Sequence, residues 1–243
     1  MQAWGLSDVG NVRTQNQDTF RIDRISDRVL LAVVCDGMGG AKSGNVASRL
    51  AGEVFSEEVL RSFRKDATGQ ETEQMLLAAL KLANISVYEH AQISEAYSGM
   101  GTTMVACLIC DRGALILNVG DSRCYHIDSD GIRRVTTDHS LVELMVQRGE
   151  LTPEEARVHP RRNLITRAVG TTATIQADLY WQPFSEGDCF LLCSDGLSNL
   201  VSQQELLFEI AHGARKDDCC QRLIEIAKDR GAPDNVTALL VAV

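Results

Sequence analysis

Val29-Leu30-Leu31-Ala32-Val33-Val34-Cys35-Asp36-Gly37-Met38-Gly39-Gly40 is the stretch around which the rest of the chain is ordered. Seven apolar residues, Val29 to Cys35, run without a break into Asp36. The run is short and rich in valine, so it reads as a strand buried on both faces. A carboxylate at the end of such a strand is held rigidly at the edge of the core. The glycines behind it let the backbone approach a ligand closely and expose peptide groups. That combination suits a metal ion and an anionic substrate. A strand ending in an ordinary Asp-Gly turn would look the same. The stretch alone leaves both readings open.

The surrounding composition narrows the classes. The chain has 243 residues, 44% hydrophobic and 23% charged, with only 4 Pro and no Pro-rich or Ser/Gly-rich linker, which favours one domain over 1–243. A net charge of -9 argues against a nucleic-acid binder, which needs clustered Lys and Arg. The N-terminal Met1 to Asp8 lacks the pattern of a signal peptide, and no apolar run is long enough to span a membrane, so a cytoplasmic location is expected. Of the 8 Cys, Cys35, Cys107, Cys110, Cys189 and Cys193 lie in apolar runs and read as small buried hydrophobes in a reducing compartment. Cys107 and Cys110 form one C-x-x-C, but in a strand they face opposite sides, and no second pair completes a zinc site.

Outward from the opening stretch, Trp4 to Ile22 is polar and turn-rich and suggests short strands around an exposed loop. Ser43 to Arg64 reads as a helix with Val46, Leu50, Val54 and Leu60 as its apolar stripe, capped by Ser43 or Asn45. Thr72 to Ser94 reads as a second helix with Met75, Leu76, Ala79, Leu82 and Ala83 inward. Apolar runs from Met100 to Cys110 and from Ala114 to Val119 form a hairpin, and Cys124 to Ile127 continue as strand. Thr137 to Gly170 is a long polar insertion with short helices at Leu141 to Arg148 and Pro153 to Arg157, the kind of segment that is functional or mobile. Strands at Ala177 to Pro183 and Asp188 to Cys193, helices at Gln203 to Ala211 and Lys216 to Arg230, and a last strand at Val236 to Val243 complete the chain. Hairpins plus pairs of long helices predict an α+β layered architecture of two sheets covered by helices.

Four acids sit at the ends of these apolar runs: Asp36, Asp121, Asp195 and Asp234. If they converge at one edge of a sandwich they repel one another strongly, and cations resolve the repulsion. Carboxylates without His or Cys partners are hard oxygen ligands that favour Mg²⁺ or Mn²⁺ over Zn²⁺. Several acids in one site suit two metals about 3.5–4 Å apart, which lower the pKa of a shared water. The plain alternative is four separate turn residues.

Six motifs now come into view together: Arg13-Thr14-Gln15-Asn16-Gln17-Asp18, Val33 to Gly40, Gly101-Thr102-Thr103, Gly120-Asp121-Ser122-Arg123, Ser194-Asp195-Gly196-Leu197 and Asp234-Asn235-Val236-Thr237. In these motifs, in this order and across nearly the whole chain, the sequence resembles the metal-dependent Ser/Thr protein phosphatases of the 2C type, especially the compact bacterial members. The resemblance implies a four-layer α-β-β-α sandwich, two antiparallel sheets flanked by helix pairs, with the metal centre at one end. It implies that Asp36 bridges two Mn²⁺ or Mg²⁺ ions, that Asp195 and Asp234 complete one ion's protein ligands, and that the Gly37 carbonyl binds the other. Asp121, with Asp195, matches the position of a third, weaker ion. Asp18 would support metal-bound water, and Arg13 would hold the substrate phosphate, which a guanidinium fork recognises well. The implied reaction is attack of a metal-bridging hydroxide on phosphoserine or phosphothreonine, in line and without a phosphoenzyme, by a monomer that opposes a Ser/Thr kinase in signalling.

The chain also departs from the pattern. Many bacterial relatives place a His after Asp-Gly-Met-Gly-Gly and a Glu a little later; here these positions are Ala41 and Asn45. A His there could protonate the leaving alkoxide. His139 and His159 are weaker candidates that read as surface or packing residues, and Lys42 reads as a solvated cation. The 137–170 insertion matches the family's flap, whose Arg157, Arg161, Arg162 and Arg167 could bind acidic phosphoproteins or simply face water. Two other function classes compete: an inactive binding domain on the same fold, and a hydrolase of small phosphoesters. An inactive domain is expected to lose at least one of the acids, and this chain keeps them all.

Overall fold

The computed structural model describes residues 1–39, 43–213 and 215–243. In chain order, β1 (Gln2–Asp8), β2 (Asp18–Ser26) and β3 (Val29–Met38) precede the long helices α1 (Gly44–Ser62) and α2 (Gly69–Ala91). Strands β4 (Gly101–Thr102), β5 (Met104–Cys110), β6 (Gly113–Val119), β7 (Arg123–Asp128) and β8 (Gly131–Arg134) follow. The polar insertion carries α3 (Leu141–Gln147) and α4 (Pro153–Val158). The chain ends with β9 (Asp178–Gln182), β10 (Cys189–Cys193), α5 (Asp195–Ser198), α6 (Gln203–His212), α7 (Cys219–Asp229) and β11 (Val236–Ala242).

The strands form two antiparallel sheets. One runs β1-β11-β10-β7-β8; the other runs β2-β3-β5-β6-β9, with β4 added against β3. Strand alternation then builds the layers. Leu30, Ala32 and Val34 of β3 face the second sheet and pack with Phe190, Leu192, Leu239 and Val241. Val29, Leu31, Val33 and Cys35 face outward and are covered by Phe55 and Val59 of α1 and Leu76 and Leu80 of α2. On the other side α6 and α7 cover β7, β10 and β11 through Leu206, Ile210, Leu223 and Ile224. The expected four-layer α-β-β-α sandwich is therefore the observed one, and β3 is apolar throughout because both of its faces are core. Cys107 lies between the sheets and Cys110 on the helix side, as strand alternation requires, and all eight thiols are buried and unpaired.

Several local expectations change. The buried stripe of α1 is Ala47, Ala51, Phe55 and Val59, while Val46, Leu50 and Val54 are partly buried and Leu60 is exposed. The inner face mixes small and large residues, Ala47 and Ala51 with Phe55 and Val59, all fully buried against β3 and α2. In α2 the inward set is Leu76, Ala79, Leu80, Ala83 and Val87, and Leu82 is exposed. That helix starts at Gly69 rather than Thr72 because Thr68 and Glu71 form a reciprocal capping box, with bonds of 2.7 and 3.2 Å. The turn after β7 closes an additional strand, β8, and Asp195 opens a short helix rather than ending β10.

Candidate functional site

The registers bring the acids to one end of the sandwich. Asp18, first residue of β2, lies directly opposite Asp36 near the end of β3. In the other sheet Cys193, the last residue of β10, pairs with Arg123 at the start of β7 and with Ala238 near the start of β11. Asp195 follows β10, Asp121 precedes β7 and Asp234 precedes β11, so all three emerge at that same end. A bond between the sheets fixes which ends meet: Ser194 Oγ and Thr237 Oγ1 both donate to Asp18 Oδ2, each at 2.7 Å. Gly37 sits at the joint between β3 and α1. A Cβ there would fall 2.1 Å from the Gly44 carbonyl oxygen and 2.6 Å from that of Gln17, so glycine is required by close approach.

Crowding acids in a partly dry site raises their proton affinity. Burial, then repulsion from Asp18, Asp195, Asp121 and Asp234, pushes Asp36 well above the usual carboxylate range. Burial pushes Asp18 up to about 7; the Thr237 and Ser194 hydroxyls oppose this, and Asp195 and Asp234 add to it. Asp121 is pushed up to about 8 by burial, by Asp195 and by Asp138. Asp195 is raised by burial and by Asp234.

Sequence reasoning missed the polar residues that hold these acids. Thr103 Oγ1 accepts the Asp36 N–H at 2.9 Å and sits 2.7 Å from Ser122 Oγ, and Thr102 Oγ1 donates to the Asp36 carbonyl at 2.9 Å. Arg123 grips Asp138 through Nε and Nη2 at distances down to 2.6 Å. Asn235 bonds to three backbone groups around the Arg13 loop. All belong to the six motifs, but their partners lie far away in sequence, so only the fold reveals what they touch.

Arg13 is exposed and reaches the cluster: its Nη2 donates to Asp234 Oδ2 at 2.8 Å. The flap base is tied to the core where Thr102 bridges Val169 and where the Gly120 N–H donates to His139 Nδ1 at 3.1 Å, and it is closed on itself where Ser140 bridges Ile165. With Nδ1 accepting, the His139 Nε2 proton faces Asp178 at 3.2 Å, and burial holds the ring below its ordinary proton affinity. His139 is thus a packing residue, and His159 closes the α4 end by accepting the Arg161 N–H at 3.1 Å. Arg167 is engaged with Asp178 at 2.9 Å, whereas Arg157, Arg161 and Arg162 are exposed. Gly40, Ala41 and Lys42 lie outside the described residues; Asn45 is exposed on the first turn of α1.

The donor set fits hard divalent cations. It is all carboxylate and peptide oxygen, its carboxylates repel one another, and Asp18 Oδ1 is buried with no hydrogen-bond partner among the described residues. Among the described residues no three His, Cys, Asp or Glu side chains are already closed into a ligating group. An ion that keeps several waters needs only one or two carboxylates, so this is compatible with Mg²⁺ or Mn²⁺.

Residues 11–240 match the family model described as Protein phosphatase 2C. The serine/threonine phosphatase stp of Listeria innocua is 34% identical over 99% of this chain and 95% of its own length. The crystal structure of the serine/threonine phosphatase Stp1 from Staphylococcus aureus superposes with a TM-score of 0.91 at 36% identity, covering 100% of this chain and 94% of that one. The catalytic domain of a serine/threonine phosphatase PstP, solved in complex with two manganese ions, gives a TM-score of 0.84 at 32% identity over 98% and 96% of the two chains.

Proposed function

This chain is a Ser/Thr phosphatase of the protein phosphatase 2C family, and from that premise we propose that it hydrolyses phosphoserine and phosphothreonine in proteins at the carboxylate end of its sandwich. The observation that carries this reading is the convergence of Asp18 and Asp36 from one sheet with Asp121, Asp195 and Asp234 from the other. Burial first and mutual repulsion second raise the proton affinity of these acids, the imbalance that bound cations would relieve.

Asp36, Asp195, Asp234 and the Gly37 carbonyl would hold two Mn²⁺ or Mg²⁺ ions, and Asp121 with Asp195 a third. Bound there, such ions polarise a phosphoryl oxygen and activate water near neutral pH. The chain's own residues do the rest. Thr102 and Thr103 hold the Asp36 backbone from both sides, which fixes its carboxylate. Ser194 and Thr237 orient Asp18 by occupying Oδ2, so that Oδ1 is left to bind water in the site. Arg13 binds the substrate phosphate with its guanidinium, next to Asp234. His139 does not deliver the leaving-group proton: its two ring nitrogens face Gly120 and Asp178.

The substrates are products of Ser/Thr kinases, so the enzyme opposes such a kinase. Eight buried, unpaired thiols fit a reducing cytoplasm, and one chain supplies every acid of the site, as a monomer requires. The test is hydrolysis of an aryl phosphate and a phosphopeptide with Mn²⁺, with EDTA, and by Asp36→Asn. Activity should vanish in EDTA. Asp36→Asn should lose more than the roughly 10–100-fold typical of outer partners of metal ligands. Activity that survives either treatment sinks the reading.

A further inference from the structure

Arg13 rides on an exposed excursion, residues 11–15, between β1 and β2. Ordering a free backbone costs conformational entropy at every residue, so something must hold this loop if the guanidinium is to meet its target in one place. Asn11 Nδ2 donates to the Lys228 carbonyl at 2.7 Å and Asn16 Nδ2 to Ser7 Oγ at 2.8 Å, but one buried side chain reaches both ends of the loop. Asn235 Nδ2 donates to the Val9 carbonyl at 2.9 Å and to the Gln15 carbonyl at 3.0 Å, and its Oδ1 accepts the Gln17 N–H at 2.8 Å. Both amide protons and an acceptor site are used, and the two ends of the excursion are tied to one point. The segment before Asn235 supports the near side of the loop. Asn11 N–H donates to the Ala232 carbonyl at 2.9 Å, and Gly10, at φ +76°, lies so close that a Cβ would be 2.2 Å from the Asp234 carbonyl oxygen.

We propose that Asn235 is the positioning residue for Arg13: it fixes the 10–16 loop so that the guanidinium faces the carboxylate cluster and meets the substrate phosphate there. The chemistry demands an amide. An aspartate would turn an acceptor toward the Val9 and Gln15 carbonyls. A glutamine would need more room, and the backbone cannot yield it, because the Asn235 carbonyl oxygen lies 2.0 Å from where a Cβ on Gly196 would be. The dipeptide therefore divides its work: Asp234 faces the guanidinium and Asn235 holds the loop that carries it. This rests on the phosphate role of Arg13 proposed above.

The experiment is a double-mutant cycle on p-nitrophenyl phosphate hydrolysis at saturating Mn²⁺, with Asn235→Ala, Arg13→Ala and the double variant. Asn235→Ala should raise KM about tenfold with kcat within about threefold. In the Arg13→Ala background the same substitution should change KM less than about twofold, because the residues act as a unit. Asn235→Asp, which keeps the size of the side chain, should behave like Asn235→Ala. Amide exchange in the metal-free protein should quicken about tenfold or more over residues 10–16 in Asn235→Ala and stay unchanged in β10 and β11. An equal KM factor in both backgrounds, or unchanged exchange in the loop, overturns the proposal. So does loss of folding in both Asn235 variants, which would make Asn235 a determinant of the fold. If Arg13→Ala alone leaves KM unchanged, the phosphate role of Arg13 fails instead, and the exchange result still decides whether Asn235 pins the loop.

Discussion

Burial strips Asp18 of water, two hydroxyls point at one of its oxygens and, among the described residues, none at the other, and Asp195 and Asp234 repel its charge from across the seam. A carboxylate in that position is easier to protonate folded than unfolded, and the same holds for Asp36, Asp121 and Asp195. The sign follows. An acid whose folded pKa is raised contributes stability that is complete below its unfolded pKa, near 3.8, and that fades as pH rises through the folded value. With Asp18 at about 7 and Asp121 at about 8, the metal-free protein should lose stability steadily between about pH 4 and pH 8. Mn²⁺ should restore more at pH 8 than at pH 5, since cations replace the protons. Urea melts at the two pH values, with EDTA and with Mn²⁺, check this; a metal-free protein that gains stability toward pH 8 contradicts it. At this scale the sequence was informative about Asp36, Asp121, Asp195 and Asp234, because each adjoins an apolar run, whereas Asp18 entered only through the family resemblance. It was silent about Ser194, Thr237 and Asn235. Hydroxyls and amides are common at turns, and their partners here lie more than 170 residues away.

Among the elements, the central strands β3, β5 and β10 were the easiest to read, since burial on both faces makes them continuous apolar runs, whereas the polar, half-exposed β2 and β8 were not. Helix α1 was harder. Val46, Leu50 and Val54 recur at i+4, and so do Ala47, Ala51, Phe55 and Val59; periodicity accepts either set. Packing decides: Ala47, Ala51, Phe55 and Val59 are fully buried with β3 and α2, and Val46, Leu50 and Val54 are only partly so. The consequence is measurable. Ala51→Leu should destabilise by about 1–3 kcal/mol through overpacking, although it adds a larger apolar group. Leu50→Ala, on the partly exposed flank, should cost less than the 2–5 kcal/mol typical of a buried Leu→Ala. Thermal unfolding of the two variants gives the order, and the reverse order would restore the larger stripe as the inner one.

Over the whole molecule, both outer sheet faces are covered by helices, and the flap stands beyond the layers. Its base is tied to the core through Val169 and His139, and its outer part presents Arg157, Arg161 and Arg162 on a chain of net charge -9. Exposed cations at a rim act on encounter with a large charged partner more than on chemistry. Replacing all three arginines with Gln should lower kcat/KM for an acidic phosphoprotein by roughly threefold to tenfold at low salt, with the difference shrinking at high salt. Turnover of a small aryl phosphate should stay within about twofold. Equal losses on both substrates would assign the flap a structural role. The polar insertion was visible in the sequence as a length and a composition; its anchoring was not, because it rests on an isolated bridge and a ring nitrogen.

The acids arrive from opposite halves of the sandwich, and among the described residues only Ser194 and Thr237 reach across to Asp18 at that end. Without counter-ions their mutual repulsion acts as a compressed spring between the two β layers. On the proposed reading, bound cations would turn that spring into a clasp, and catalysis and cohesion of the sandwich would rest on the same few oxygens.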